Sequence, residues 1–249
     1  MIRKKTQKIL GQTKGFYNEI ALDFSDTRGH WWRGFGDFAK YVKPGNRVLD
    51  IGCGNGRMAE IFADSKVEYL GIDNSEELIK IARERFKDKP WVKFEVGDIN
   101  NLQFKNNSYD LVLLIAVLHH LPSRQLRWRA LKNIHDILQP GGRLVMVNWN
   151  LWQVFGWKKR FRYYPYLFNW LEKIRWGAWA MSDAFVPWKS GGRDTKRYIH
   201  SFTKGETRRL LRRAGFIIEE LEFKAKSEGK KGIMYGDNLL AIAVKNGRM

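Results

Sequence analysis

The sequence predicts an α/β fold in which a seven-stranded sheet carries helices on both faces, and three observations point to it. The stretch Val48–Gly56, VLDIGCGNG, opens on a short apolar run of the kind a strand buried on both faces shows and continues with glycines at alternate positions. The runs VEYLGID (Val67–Asp73) and VKFEVGD (Val92–Asp98) are again strand-like, so Asp50, Asp73 and Asp98 all stand at or near strand ends. Between the runs lie helical stretches, such as Leu78, Ile79, Ala82 and Phe86 behind a Ser75 cap backed by Glu76 and Glu77. Strand and helix in alternation describe an open sheet whose ligands bind beyond the carboxyl ends of the strands.

The elements follow in order. Residues 1–45 read as a helical lead-in or lid. Phe16, Tyr17, Ile20, Ala21 and Phe24 share one helix face, and Ser25, Asp26 and Thr27 are expected to break that helix. Arg28–Phe38 sets glycines among Trp31, Trp32, Arg33 and Phe35, either as a cover over a ligand or as a core-packing stripe. Residues 46–149 form the ligand-binding core, with a helix expected from about Asn55 and a fourth strand inside Tyr109–Leu121. A helix ending in ILQPGG leads to the fifth strand, Gly142–Trp149. Residues 150–202 are an insertion on the substrate side. Residues 203–249 hold the last helix and a terminal strand pair, Phe216–Ala225 and Asn238–Lys245.

The turn reads GxGxG, not GxGxxG, and Asp50 just ahead of it would repel a pyrophosphate while welcoming the amino group and sulfonium of S-adenosylmethionine. A tight structural turn without a ligand is the alternative. Asp73 lies 21 residues beyond Gly52, the register in which a carboxylate at the tip of the second strand accepts ribose hydroxyls. Asp98 would meet the adenine amino group, with Ile99 against its ring. Gly52, Gly54, Asn74 and Ile115 complete the expected cofactor set.

Of 249 residues, 45 are Lys or Arg and 26 Asp or Glu, a formal charge of +19 that favours a polyanion, with nucleic acid first and an anionic membrane surface second. Cys53 is the only cysteine, which excludes an internal disulfide and a cysteine-based zinc site and fits a reducing, cytoplasmic setting. No stretch is apolar enough to span a membrane, and no metal site is expected. The insertion interleaves Trp152, Trp157, Trp170, Trp176, Trp179 and Trp188 with WKKRFRYYPY, a composition that suits stacked bases and phosphates. Tryptophans covering a helical insertion, or an interfacial membrane helix, are the alternatives. RRLLRR (Arg208–Arg213) and KAKSEGKK (Lys224–Lys231) extend the basic surface, and either is also an ordinary solvated face.

VLDIGCGNG, GIDNS, VGDIN, YDLVLLIAVLHHL and LQPGGRLV resemble, in succession, the motifs of the class I S-adenosylmethionine methyltransferases. The resemblance covers roughly residues 46–147 and implies a Rossmann-like seven-stranded sheet with the last strand antiparallel. Outside it, FSDTR, the double histidine His119–His120, SDAFVPWK and RYIHSFTKGE resemble the methyltransferases of the eukaryotic tRNA wobble-uridine pathway, including the methyltransferase portion of the animal AlkB-like tRNA hydroxylase. That family methylates the carboxylate of 5-carboxymethyluridine in the tRNA anticodon loop to a methyl ester. Its members commonly have a second aromatic where Ile199 stands, and their tail differs from YGDNLLAIAVK.

A carboxylate is ionised at neutral pH, so its methylation needs positioning and no general base. Cations and hydrogen-bond donors would orient the second carboxylate oxygen, and Arg28, Arg197, Tyr198 and His200 are nominated for that role by resemblance and by chemistry. His119 or His120 would border the methyl-transfer crevice, or sit there as an ordinary satisfied histidine. No carboxylate and histidine pair is expected to face the acceptor. The resemblance also implies a small zinc-binding activator protein as partner. A methyltransferase acting on a quinone, lipid or natural product, and an RNA-binding scaffold without catalysis, are the other readings the sequence leaves open.

Overall fold

A computed structural model describes residues 2–28, 38–152, 169, 171, 181–188, 196–224 and 237–247. Trp31, Trp32, Arg33, Phe35, Trp157, Trp170, Trp176, Trp179, WKKRFRYYPY and all of KAKSEGKK but Lys224 lie outside them. Two helices, α1 (Ile2–Glu19) and α2 (Ala21–Thr27), precede the sheet. Strands β1 (Arg47–Ile51), β2 (Glu68–Asp73), β3 (Val92–Val96), β4 (Tyr109–Ile115) and β5 (Leu138–Trp149) alternate with α3 (Glu76–Arg85) and α4 (Arg124–Ile137). Then come β6 (Asp183–Pro187), β7 (Lys196–His200), a helix here called α5 (Lys204–Ala214), β8 (Phe216–Lys224) and β9 (Asn238–Lys245).

The main sheet has seven strands in the order β3-β2-β1-β4-β5-β9-β8. β1 to β5 pair in parallel and β9 runs antiparallel between β5 and β8. Two-residue alternation divides its apolar side chains between two layers. Leu49, Ile51, Val112 and Leu114 pack with Leu131 and Ile134 of α4 and Leu210 and Leu211 of α5, whereas Val48, Leu111 and Leu113 pack with Phe62 and with Ile79 and Ala82 of α3. Order, antiparallel strand and double layering are those of the class I methyltransferase fold.

Local departures from the sequence expectation have identifiable causes. The turn after β1 is followed by a 3-10 segment, Arg57–Phe62, in place of an α-helix from Asn55, because Gly56 at φ 75° holds a left-handed conformation that delays the first turn. Ser25, Asp26 and Thr27 stay helical. The Thr27 hydroxyl donates to the Asp23 carbonyl at 2.7 Å, and α2 ends only at Arg28, whose N–H bonds Ser25. Gln139, Pro140 and Gly141 belong to β5, which opens at Leu138 opposite Tyr109 and shifts register before Leu111. Within the insertion, β6 and β7 form an antiparallel pair of their own, with Asp183 opposite His200 and Val186 opposite Arg197. No helix among the described residues is long and apolar enough to cross a membrane.

A side chain at Gly56 would meet the Phe94 ring at 2.7 Å in a left-handed backbone, whereas Gly11 lies within α1 with nothing within 4 Å. Gly56→Ala should therefore cost about 2–5 kcal/mol in denaturant unfolding through strain and overpacking. Gly11→Ala should stabilise by about 0.5–1 kcal/mol.

Candidate functional site

The carboxyl ends of β1, β2 and β4 and the segment after β3 converge on one cavity, roofed by Leu10, Thr13 and Tyr17 of α1 and Phe24 of α2. Asp50, Gly52, Gly54, Asp73, Asn74, Asp98, Ile99 and Ile115 all line it. Gly52, at φ 73°, runs so close to Val117 that an added Cβ would sit 2.2 Å from a methyl carbon. Asp73 ties strand end to turn: one carboxylate oxygen accepts the Gly54 N–H at 2.9 Å and the other the Ser75 N–H at 2.8 Å. Burial raises its carboxyl above the ordinary range, against the pull of those N–H groups.

Asp50 is wholly buried. One oxygen accepts the Tyr69 hydroxyl at 2.6 Å, and the other has no hydrogen-bond partner among the described residues. Burial lifts its carboxyl to about 7; Tyr69 and Arg57 oppose the shift and Asp73 adds to it. Asp98 is exposed, accepts both the backbone N–H and the side-chain amide of Asn100 at 2.8 Å, and begins the 3-10 turn that carries Ile99.

Of the six residues nominated for the acceptor side, Arg28, His120 and Arg197 line the cavity. His120 Nδ1 lies 2.8 Å from the Tyr198 carbonyl, an acceptor, so Nδ1 carries the proton and Nε2 accepts the Tyr17 hydroxyl at 2.9 Å. Burial, with Arg197 adding to it and the Tyr198 carbonyl opposing, takes this imidazole down to about 3. His119 faces inward, and its Nδ1 accepts the Trp149 N–H at 3.2 Å. Burial first, then His120, Arg197 and His200, hold it well below the ordinary histidine range.

Tyr198 and His200 stand behind the wall. Strand alternation puts them on the face of β7 opposite Arg197, so the three cannot reach one ligand together. The Tyr198 hydroxyl donates to Asp183 at 2.6 Å, and His200 sits between Asp183 at 2.7 Å and Glu206 at 2.9 Å. Arg127 lies 3.7 Å from Glu206 and donates to the Leu121 carbonyl at 3.0 Å. The carboxylates that flank His200 form a pair with it behind the cavity wall, and both of its ring nitrogens are engaged there.

Arg197 is 4% exposed, and its guanidinium carbon lies 4.5 Å from the Trp149 ring, 5.1 Å from Trp188 and 5.3 Å from Phe16. No carboxylate among the described residues forms an ion pair with it. Arg28 stacks on Trp188 and Phe24 at 5.3 and 5.5 Å. Sequence reasoning missed Tyr17, taken there only as part of an apolar helix face. It also missed Asn55, whose amide reaches Ser25 at 3.2 Å and the Arg28 carbonyl at 3.4 Å and so fastens the glycine turn to FSDTR. The signal for Tyr17 was a polar tip on an otherwise apolar stripe.

Residues 49–146 match the family model described as a methyltransferase domain. The chain carries a methyltransferase domain. It is 35% identical over 137 residues to the tRNA (carboxymethyluridine(34)-5-O)-methyltransferase of Saccharomyces cerevisiae, covering 55% of this chain and 47% of that protein. The Mus musculus tRNA (carboxymethyluridine(34)-5-O)-methyltransferase ALKBH8 is 36% identical over 141 residues, 56% of this chain and 20% of its own length. The chain spans less than half the length of the curated relatives it matches. In fold, the methyltransferase domain with its surrounding elements is similar to a SAM-dependent methyltransferase from Methanosarcina mazei, with TM-score 0.67, 23% identity and coverage of 84% of this chain and 96% of that one. A methyltransferase solved with the Trm112 methyltransferase activator of Haloferax volcanii gives TM-score 0.63 at 18% identity, covering 92% and 97%.

Hydrogen bonds from His200 hold the Asp183 and Glu206 carboxyls below their ordinary values, against burial, which acts in the opposite direction. Depressed carboxyls stabilise the fold above the unfolded carboxylate value of about 4, and the contribution is lost as pH falls through the lower folded value. Asp183→Asn should therefore cost about 1.5–3 kcal/mol at pH 7 by removing one of the two carboxylates that flank His200, and thermal melts should show the gap to wild type closing below about pH 4.

Proposed function

We propose that the protein is an S-adenosylmethionine-dependent methyltransferase that converts the carboxylate of a 5-carboxymethyl-type wobble uridine in tRNA to its methyl ester. The cofactor fits the residues present. Gly52 and Gly54 line the cavity, their missing Cβ atoms leaving room for Val117 and Phe24 to close on the turn, and the orphaned buried oxygen of Asp50 is suited to a cationic group. Gly52 and Gly54 would cradle the amino-acid moiety, Asp73 and Asn74 the ribose, and Asp98 and Ile99 the adenine. When bound, the cofactor supplies an electrophilic methyl group.

Arg197 carries the acceptor side of the proposal. A guanidinium buried among three aromatic rings, on the cavity wall and without a described acid, is built to receive an anion from outside the chain. Its planar fork would hold one carboxylate oxygen and leave the other toward the methyl donor, with Arg28 as a second cation at the rim. The protonation states agree with an acceptor that has no proton to lose. His120 is neutral, and its one free lone pair already takes the Tyr17 hydroxyl. His119, Tyr198 and His200 serve in this scheme by fixing β7 and the turn bearing His120, and Arg197 is thereby set in place.

The curated relatives named for carboxymethyluridine(34) in tRNA support the nucleic-acid acceptor, as does the charge of +19. An activator of the Trm112 kind, seen with the Haloferax volcanii methyltransferase, and a cytoplasmic location complete the proposal.

An ester has a chemical signature. With carboxymethylated tRNA as acceptor, the transferred methyl should be released by mild alkali, whereas a methyl on ring carbon, ring nitrogen or ribose oxygen would persist. Arg197→Lys should lower turnover by about 100-fold, the scale of a charge-assisted hydrogen-bond pair, with calorimetric cofactor affinity retained. An alkali-stable product, or full turnover in the variant, would contradict the proposal.

A further inference from the structure

We propose that the outer face of α4 and α5 is a docking surface for the phosphodiester backbone of the RNA whose loop reaches the cavity. It rests on the RNA acceptor proposed above and adds where that RNA lies. On α5, Leu210, Leu211 and Ala214 are buried and Arg208, Arg209, Arg212 and Arg213 are exposed. They form two columns, 208/212 and 209/213, each one helical turn and about 6 Å long. On α4, packed alongside, Arg124 and Arg129 are exposed. The two helices meet where the Arg213 guanidinium lies 4.9 Å from the Trp128 ring, whose indole N–H donates to the Arg213 carbonyl at 3.4 Å.

None of these six arginines forms an ion pair with a carboxylate among the described residues. The acids on the same helices are committed elsewhere, Glu206 to His200 and Arg127, and Asp136 to Lys132. Helix electrostatics account for Arg212 and Arg213, which sit in the last turn of α5 where a cation is favoured. They do not account for Arg208 and Arg209 in mid-helix. They oppose Arg124, which occupies the first turn of α4, where the helix field disfavours positive charge. Arg208 and Arg209, which the helix field does not explain, and Arg124, which it opposes, are accounted for by an anionic partner.

The partner's class follows from what the face lacks. An interfacial membrane helix inserts an apolar face, and among the described residues the exposed large apolar ones, Leu22, Val96, Leu171, Met181 and Ile217, all lie off α4 and α5. Guanidinium groups with no apolar wedge suit phosphates, which they grip bidentately without reading sequence. The placement agrees. α4 begins three residues after Leu121, which lines the cavity, and α5 begins four residues after His200 of β7, the strand that carries Arg197. α4 therefore starts beside the cavity wall, and α5 packs against α4.

The test is fluorescence anisotropy of a labelled tRNA anticodon stem-loop across a salt series, with wild type and an Arg208→Gln/Arg209→Gln/Arg212→Gln/Arg213→Gln variant. Four lost phosphate contacts should weaken binding by about 30-fold or more at 0.1 M salt and make the log–log salt slope shallower by about three. In turnover KM for tRNA should rise while kcat and cofactor affinity hold, and Tm should fall only slightly, through the lost helix-end charges at 212 and 213 and the lost stacking of Arg213 on Trp128. Arg124→Gln/Arg129→Gln should flatten the slope by about half as much, which keeps the test alive if the fourfold variant folds poorly. Wild-type affinity and slope in both variants, with RNA still bound, would overturn the surface and leave the acceptor reading standing. Binding of phosphatidylserine vesicles as tight as that of RNA, lost in the same variants, would replace the proposal by a membrane face. No RNA binding by wild type would remove the acceptor reading and this surface with it.

Discussion

A buried guanidinium without a described acid is the constraint on which the rest of the site depends. Moving such a charge out of water costs several kcal/mol, and stacking on a desolvated aromatic ring recovers about 2 kcal/mol or more of it. Arg197 can hold its place only if the strand beneath it cannot shift. β6 and β7 form a two-stranded pair outside the main sheet, and such a pair is marginal alone. The Tyr198 hydroxyl, Asp183, His200, Glu206 and Arg127 join it to α5, to α4 and, through the Leu121 carbonyl, to the turn that carries His120. The His120 ring returns to the Tyr198 carbonyl and closes the circuit.

The cavity is polarised as a result. Asp50 and Asp73 give one side negative character, suited to a cationic donor, and Arg197 and Arg28 give the other side positive character, suited to an anionic acceptor. Tyr17 stands between them. Burial raises its phenol, and the charges that act on it are Arg197 and Arg28 on one hand and Asp73 on the other. α1 and α2, which bring Tyr17 and Arg28 into the roof, are held to the core by the bond from Ser75 to Asn18 at 2.7 Å and by those from Asn55 to Ser25 and Arg28.

The sheet and the convergence of the glycine turn and the strand-end acids on one cavity were legible in the sequence because each of their signals is local: an apolar run, a glycine turn, an acid at a strand tip. Asp50, Gly52, Asp73 and Asp98 lie on the cavity wall through the geometry of a strand ending where a ligand begins. The acceptor side was legible only in part, since it is assembled across distance. RYIHSF suggested one cluster of three residues, and β-strand alternation split it, leaving Arg197 in the cavity and Tyr198 and His200 behind it. Asp183 and Glu206 stood in quoted motifs without a role because their partner is 17 residues from one and 6 from the other, on separate elements. The 3-10 turn after Gly56 and the continuation of α2 through Thr27 escaped for a related reason: tertiary contacts and side-chain bonds overrode local propensity.

The most direct measurement of the central claim is a double-mutant cycle between Arg197 and the acceptor carboxylate. Binding of anticodon stem-loops carrying carboxymethyl or carbamoylmethyl uridine would be measured with wild type and Arg197→Gln in the presence of S-adenosylhomocysteine. A guanidinium waiting for that carboxylate predicts a coupling energy of about 1.5–3 kcal/mol, with the preference for the acid over the amide abolished in the variant. An equal preference for the acid in both proteins, and hence no coupling, would contradict the assignment of Arg197 to the acceptor.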